Sequence, residues 1–104
     1  MAVSSGIPGQ GTLTGPGTKD TIRTGVGTEA HTITFTNYSA NTVTLTIWLN
    51  GTANQNLAGP PVMTLLAGEA IVFECKLGLD DYVKTEASAA SAIAWTDEMD
   101  SLTT

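Results

Sequence analysis

The feature of this sequence that most constrains its fold is a pair of alternating segments within residues 31–50. In the first, threonines alternate with Ile33 and Phe35, and in residues 42–49 every second residue is again apolar. A period of two is the spacing of a β-strand with one buried face. The intervening Asn-Tyr-Ser-Ala-Asn is rich in residues that accept turn geometry. The two strands are therefore predicted to pair as an antiparallel hairpin.

The matching parity of the two strands sets the register of this predicted hairpin. If Thr36 lies opposite Thr42, then Phe35 meets Val43 on an apolar face while threonines line the other face. A shift by one residue would expose every apolar side chain, because successive side chains point to opposite faces.

Further short alternating segments follow the first pair. Residues 62–66 and 70–76 are predicted to form a second hairpin, and residues 82–87 and 92–96 two more strands. Short strands separated by turns are typical of a sandwich or small barrel. The predicted fold class is all-β, a small antiparallel β-sandwich (jelly-roll or Ig-like) of about six to eight short strands.

The predicted organisation has three parts. Glycine and proline recur in residues 1–28 too often for a helix or a long strand, so this segment is expected to be an extended N-terminal arm. Residues 29–97 would form the β-sandwich domain, and residues 98–104 an acidic C-terminal tail. Such an arm is ordered only when something holds it, either a partner or its own domain. The apolar side chains that could anchor it to a partner are Ile7, Leu13 and Ile22.

The charge distribution argues against nucleic acid as a partner. The net charge is -6, and from residue 69 onward eight acidic residues stand against two lysines. An acidic half repels phosphates. No segment is long and apolar enough to span a bilayer and no secretion leader is present, so no membrane partner is expected.

Composition and size point to a protein that belongs to an assembly. Only 13% of residues are charged while 41% are hydrophobic, which is a low charge content for a soluble monomer. A domain this small buries a modest core, and association between copies is a common remedy. A homo-oligomer is therefore expected.

The inventory of reactive side chains is thin. His31, the single histidine, shares the apolar face of the first strand and is expected to be structural. Cys75, the single cysteine, alternates with apolar residues and is expected to be a buried structural thiol. One Cys and one His cannot complete a zinc site, and the acidic turns at residues 80–81 and 97–100 lack the spacing of a calcium loop. The sequence predicts no catalytic residue, no metal and no cofactor.

Three aromatic side chains are candidates for contact with a partner. The parity of Trp48 puts it on the threonine face, where it needs cover from the arm, another subunit or a ligand such as a sugar. Tyr38 at the predicted hairpin tip and Tyr82 on a polar strand face are the other two.

Three segments of the chain resemble small β-sandwich proteins encoded among the structural genes of tailed bacteriophages. The segments are ITFTNYSANTVTLTIWLNGT, LLAGEAIVF and LGLDDYVKTEASAASAIAW, which together cover roughly the C-terminal two-thirds. Asp80-Asp81 departs from the likeness, because the family usually has a glycine-aspartate turn there. The turn residues that carry the resemblance are Asn37, Asn50, Gly51, Gly68 and Glu69.

The resemblance implies a non-enzymatic component of a virion, made in the bacterial host cytoplasm. Within that class, a capsid decoration or cement protein is expected. Such a protein would bind the major capsid protein and copies of itself on the capsid surface, and would bridge neighbouring subunits with its arm. A neck, tail, baseplate or fibre component is the alternative, as is a glycan-binding module on the virion.

Overall fold

The computed structural model describes residues 2–103, with the side chains of residues 6–101. Within this range the chain forms eight β-strands and one short 3-10 turn at Asn54–Asn56. The strands are β1 (Ala2–Thr12), β2 (Asp20–Thr24), β3 (Thr28–Asn37), β4 (Val43–Leu49), β5 (Met63–Leu65), β6 (Ala70–Leu77), β7 (Tyr82–Ala87) and β8 (Ile93–Thr103).

The eight strands form two antiparallel sheets of four strands each. The first sheet has the order β1-β8-β3-β6, and the second has the order β2-β7-β4-β5. Side chains from both sheets enclose one apolar core, in which Ile33, Phe35 and Leu45 are fully buried. The fold is thus an all-β sandwich, which confirms the predicted fold class.

The first predicted hairpin is wrong in its pairing, although both of its strands exist. β3 lies between β8 and β6 in the first sheet, whereas β4 lies between β7 and β5 in the second. Phe35 and Val43 therefore enter the common core from opposite sheets and do not pair across one sheet face. Alternation identifies which face of a strand is buried. The same face is buried whether the two strands pair within one sheet or pack against each other from two sheets, so alternation does not identify the partner strand.

The second predicted hairpin is wrong for the same reason. β5 pairs with β4 in the second sheet, while β6 pairs with β3 in the first. The turn between them, which contains Gly68 with φ of 82°, carries the chain from one sheet to the other. The Glu69 carboxylate accepts a 2.6 Å hydrogen bond from the Leu66 backbone N–H, which closes this turn.

Residues 2–28 are not an arm separate from the sandwich, contrary to the predicted domain boundary after residue 28; Met1 lies outside the described residues. β1 pairs with β8 at one edge of the first sheet, and β2 pairs with β7 at one edge of the second. The glycines of β1 have a packing role, because an added Cβ at Gly9 would lie 3.0 Å from the Trp95 ring and one at Gly11 would lie 3.4 Å from it. Glycine lets the strand approach the indole closely.

The predicted acidic tail is also part of the sandwich. β8 continues through Ile93–Thr103 and pairs with β1 on one side and with β3 on the other. It therefore contains residues 98–103 of the predicted tail, while Thr104 lies outside the described residues. The strand does not end at Thr96 as predicted, because Asp97 continues the alternation, pairs with Ile33 of β3 and is fully buried. The predicted strand at residues 82–87 agrees with β7.

Candidate functional site

Four charged or titratable side chains meet in the interior of the sandwich. β3 buries Glu29 and His31 on the same face as its apolar residues. Asp97 joins them from the neighbouring strand β8, and Arg23 reaches them from β2 in the second sheet. We call Arg23, Glu29, His31 and Asp97 the buried charged network.

His31 is held between two carboxylates. Its Nδ1 lies 2.7 Å from Asp97 Oδ1, and its Nε2 lies 2.7 Å from Glu29 Oε1. Arg23 donates to the same Glu29 carboxylate, from Nε to Oε1 at 3.1 Å and from Nη2 to Oε2 at 2.8 Å. The Val26 backbone N–H adds a third donor to Glu29, at 3.0 Å from Oε2. Paired, forked contacts of this kind are the strong form of a charged hydrogen bond.

Each of the two contacts of His31 needs one proton between the ring nitrogen and the carboxylate oxygen. His31, Glu29 and Asp97 must therefore hold two such protons between them. An imidazolium donates from both ring nitrogens and leaves both carboxylates ionised. Arg23 and His31 then balance Glu29 and Asp97, so the network carries no net charge. A neutral imidazole has one N–H, and the second contact would then need a protonated carboxyl group.

The two carboxylates differ in their electrostatic environment. The hydrogen bond from Arg23, with help from Val26 and His31, lowers the pKa of Glu29 from 4.5 to about 2. Burial raises the pKa of Asp97 above its ordinary value, against the opposing effect of His31. The second oxygen of Asp97, Oδ2, has no hydrogen-bond partner among the described residues. Asp97 is therefore the carboxyl group that gains a proton first.

Three of the four side chains of the network are enclosed, while that of Arg23 is 21% exposed. Glu29 and His31 are each 2% exposed, and Asp97 is fully buried. Cys75 lies opposite His31 in the register of β3 and β6, but burial raises the pKa of its thiol to about 11, so little reactive thiolate forms. The hydrogen bonds among these groups offset the cost of burying them, so removal of one partner would leave another charged group buried without compensation.

Sequence analysis found His31 but missed its partners. His31 lies on the apolar face of β3 beside Ile33, as expected. Glu29 has the same parity as His31, so its burial could have been read from the sequence, and a buried carboxylate needs a partner. Arg23 lies in the predicted arm, and Asp97 lies next to the predicted tail. Their proximity to His31 depends on the order of the strands in the two sheets.

Two of the six predicted interface residues are core residues. Leu13 is 1% exposed and Ile22 is 7% exposed, and both belong to the central apolar cluster. They fasten the first 28 residues to the sandwich itself, so neither is available to a partner. The expectation that they anchor an arm to another protein is wrong.

Trp48 is covered by its own chain. It is 8% exposed, and the Lys19 ammonium lies 5.5 Å from the centroid of its ring. Its backbone pairs with Leu57 of the following loop. The sequence analysis expected the arm, another subunit or a ligand to cover Trp48. Lys19, which precedes β2 in the predicted arm, lies over the ring, so Trp48 does not present an open surface.

The other three candidates lie at separate places on the surface. Ile7 is 60% exposed on β1 and lines a shallow groove of about 370 Å³ together with Thr32 and Glu98. Tyr38 is 52% exposed at the end of β3. Tyr82 is half-buried at the start of β7, with the Lys84 ammonium 5.9 Å from its ring centroid. The structure does not bring these three into one site.

The threonines expected on one hairpin face lie on two different sheets. Those of β3 point outward from the first sheet, and those of β4 point outward from the second. In the first sheet, Thr34 lies between Val72 of β6 and Thr96 of β8. We call the uncharged centre of this outer surface the threonine face; its members are Thr32, Thr34, Thr36, Val72 and Thr96.

The fold and the buried network define the chain as an antiparallel β-sandwich with paired charged groups in its interior. In the part of the chain that the structure describes, no group of three or more His, Cys, Asp or Glu side chains could hold a metal ion. No helix among those residues has the length and hydropathy needed to cross a membrane. Comparison with family models, curated proteins and solved structures finds no match to this chain.

Proposed function

We propose that this chain is a non-enzymatic structural protein of a bacteriophage virion that decorates the capsid exterior. In this role it binds the major capsid protein and adds contacts between neighbouring capsid subunits. The resemblance of its strand and turn segments to phage β-sandwich proteins supports the proposal. The two-sheet sandwich agrees with the fold that this resemblance implies.

The observation that carries the proposal is the threonine face. It offers short, uncharged side chains on three adjacent strands in the middle of the first sheet. Short hydroxyl side chains lose little rotamer freedom on contact and can donate and accept hydrogen bonds. Glu74 and Glu98 flank Thr32 and put the negative charge toward one end of this surface. Such a face suits a broad polar contact with another protein.

The contact with the capsid is assigned to the sandwich surface. The first 28 residues supply β1 and β2 to the two sheets, and the buried Leu13 and Ile22 hold them there. Bridging by a free arm is therefore replaced by bridging through the threonine face.

Peptide quantitation of purified virions tests the assignment to the capsid. The virions are those of the phage whose genome encodes this chain. A decoration protein is present at a copy number comparable to that of the major capsid protein. A few copies per particle would replace decoration by a neck, tail or baseplate role, and absence from the virion would overturn the proposal.

A matched pair of substitutions tests the contact surface. Purified protein is added to particles that lack it, and the bound protein is measured after sedimentation of the particles. Thr34→Arg places a long charged side chain in the centre of the threonine face and is expected to abolish binding. Thr64→Arg makes the same change on the second sheet, at an exposed position of β5, and is expected to bind like the wild type. Equal binding by the two variants would contradict this surface.

A further inference from the structure

The four edge strands of the sandwich are not equally protected. An edge strand presents unpaired backbone groups, and proteins prevent unwanted pairing with short strands, prolines or bulges. β1 contains Pro8, and its register shifts between Gly6 and Gly9. β2 has five residues and a shift between Thr21 and Arg23. β5 has only three residues.

β6 lacks all three of these devices, and its exposed charged side chains, Glu74 and Lys76, are opposite in sign, so they can pair with those of a second copy. It is eight residues long, contains no proline and pairs with β3 in an unbroken register. It ends the first sheet in the described part of the chain. A long, regular and unblocked edge is the feature that invites another strand.

The backbone groups on the open side of β6 belong to its even-numbered residues. The Asn37 N–H donates to Glu69 O on the β6 side, while the next N–H, that of Tyr38, donates to Ala92 O on the β8 side. Because this direction alternates along an antiparallel strand, the odd-numbered residues of β6 bond to β3. The N–H and C=O groups of Val72, Glu74 and Lys76 therefore point toward the open edge.

The side chains of β6 are also incompletely covered. Ile71, Phe73 and Cys75 face the core but are only half-buried, unlike the fully buried Ile33 and Phe35 of the adjacent strand. On the outer face, Val72 is 60% exposed. A strand paired along part of β6 would cover the apolar side chains of that part and satisfy its free backbone groups together.

The charges on β6 identify a second copy of this chain as the added strand. Glu74 and Lys76 are exposed, opposite in charge and two residues apart, so they are neighbours on the outer face. When two such strands pair antiparallel about Cys75, each Glu74 lies opposite Lys76 of the partner subunit. Centring the axis on Glu74 would place two carboxylates opposite each other, and centring it on Lys76 would place two ammonium groups opposite each other. Centring it on Phe73 would put Glu74 opposite Val72, so the opposite charges would not pair.

We propose that two copies of this chain associate by antiparallel pairing of their β6 strands about a two-fold axis at Cys75. The two four-stranded first sheets then form one continuous sheet. The proposal depends on the edge of the first sheet and stands independently of the capsid role. It leaves the threonine faces of both copies accessible on the same side of the joined sheet.

Charge reversal tests this interface in the full-length protein. K76E places a carboxylate opposite each Glu74, and E74K places two ammonium groups opposite each other. Each single reversal is expected to weaken the dimer by about tenfold or more in Kd. The double variant E74K/K76E restores opposite charges and should dimerise like the wild type. Sedimentation velocity over a concentration series measures the dimer, and circular dichroism confirms that the variants, changed only at exposed positions, are folded.

Two results of that series would overturn the interface. One is a wild-type chain that stays monomeric at every concentration. The other is a dimer that the single reversals leave unchanged, or that the double reversal does not restore. In either case β6 is not the contact between copies.

Cys75 provides an independent readout of the register. In this arrangement the two Cys75 residues form a pair without backbone hydrogen bonds, with Cα atoms about 4.5 Å apart. That distance lies within the range of a disulfide. Copper phenanthroline, as the oxidant, removes two electrons from the two thiols, which release two protons as the S–S bond forms.

Covalent dimer is expected from the wild type and from E74K/K76E, and much less from either single reversal. Cys75→Ser is the control that cannot form it. The oxidation is run at alkaline pH, because the raised pKa of Cys75 leaves little thiolate at neutral pH. A wild-type dimer that sediments as such but gives no more covalent product than the single reversals would refute the register centred on Cys75.

Discussion

Replacing Glu29 by glutamine removes the charge at the centre of the buried network with little change of shape. The carboxylate accepts hydrogen bonds from Arg23, Val26 and His31. A glutamine amide has one oxygen and one NH2 group, so part of this donor cluster would face another donor. The Arg23 guanidinium would also lose the anion it contacts at 2.8 Å.

The magnitude follows from the pKa of Glu29. Its fall from 4.5 to about 2 corresponds to about 3 kcal/mol of folding free energy at neutral pH. The folded-state pKa of Glu29 is lower than its unfolded-state pKa, so the folded protein is stabilised when this carboxyl group is ionised. The stabilisation is complete above pH 4.5 and is lost as the pH falls through about 2. The Gln variant should thus lose about 3 kcal/mol at pH 7 and about half as much at pH 3.

Asp97→Asn is the matched control. It also neutralises a carboxylate 2.7 Å from His31, but burial raises the pKa of Asp97, so its ionised form is penalised in the folded state. A group with a raised folded-state pKa gains stability as the pH falls through that pKa, which is the opposite sign to Glu29. Asp97→Asn is therefore expected to cost less than half as much as Glu29→Gln at pH 7.

Urea unfolding of the three proteins at pH 7 and pH 3, followed by tryptophan fluorescence, measures these differences. The expected result is a large loss for Glu29→Gln that shrinks at pH 3, with a smaller loss for Asp97→Asn. Two results would refute the reasoning: a loss below about 1 kcal/mol for Glu29→Gln at pH 7, or an Asp97→Asn loss as large as that of Glu29→Gln.

Two further substitutions, each with a control variant, test the loops that join the sheets. At Gly25 an added Cβ would lie 2.2 Å from Gly78 O, so Gly25→Ala should lower the free energy of unfolding by about 3 kcal/mol in thermal or urea unfolding. Gly27→Ala is the control, because an added Cβ there would have no described atom within 4 Å, and it should change stability by less than about 0.5 kcal/mol. The buried Asn37 amide donates to the backbone oxygens of Asn41 and Leu65, so Asn37→Ala should cost about 2 kcal/mol or more of unfolding free energy in the same assay. Asn41→Ala is the control, because it keeps the backbone oxygen that accepts from Asn37. A cost for Asn37→Ala no larger than that for Asn41→Ala would contradict this role.

The alternating pattern in the sequence predicted individual strands well and their partners poorly. Ile33 and Phe35 in β3, like Val43 and Leu45 in β4, are buried as their parity indicated. The same parity is satisfied by pairing within one sheet and by packing across two, so it could not decide between them. The short turns after β3 and β5 were read as hairpins because they contain turn residues, whereas each carries the chain to the opposite sheet.

The glycine-rich beginning of the chain was misread because composition describes backbone freedom and not packing. Gly9 and Gly11 allow β1 to lie against the ring of Trp95, which is more than 80 residues away in sequence. The buried charged network was hidden for a related reason. Glu29 and His31 are two residues apart, but Arg23 and Asp97 reach them only through the order of strands in two sheets. Long-range pairing of this kind has no local signature in one sequence.

Cryo-electron microscopy of the virions tests the proposed capsid role most directly. At a resolution that separates strands, the proposal predicts a two-sheet sandwich on the outside of the capsid, with the threonine face against capsid subunits. Density for the chain only at the tail axis, or on the capsid with the threonine face turned to solvent, would contradict it.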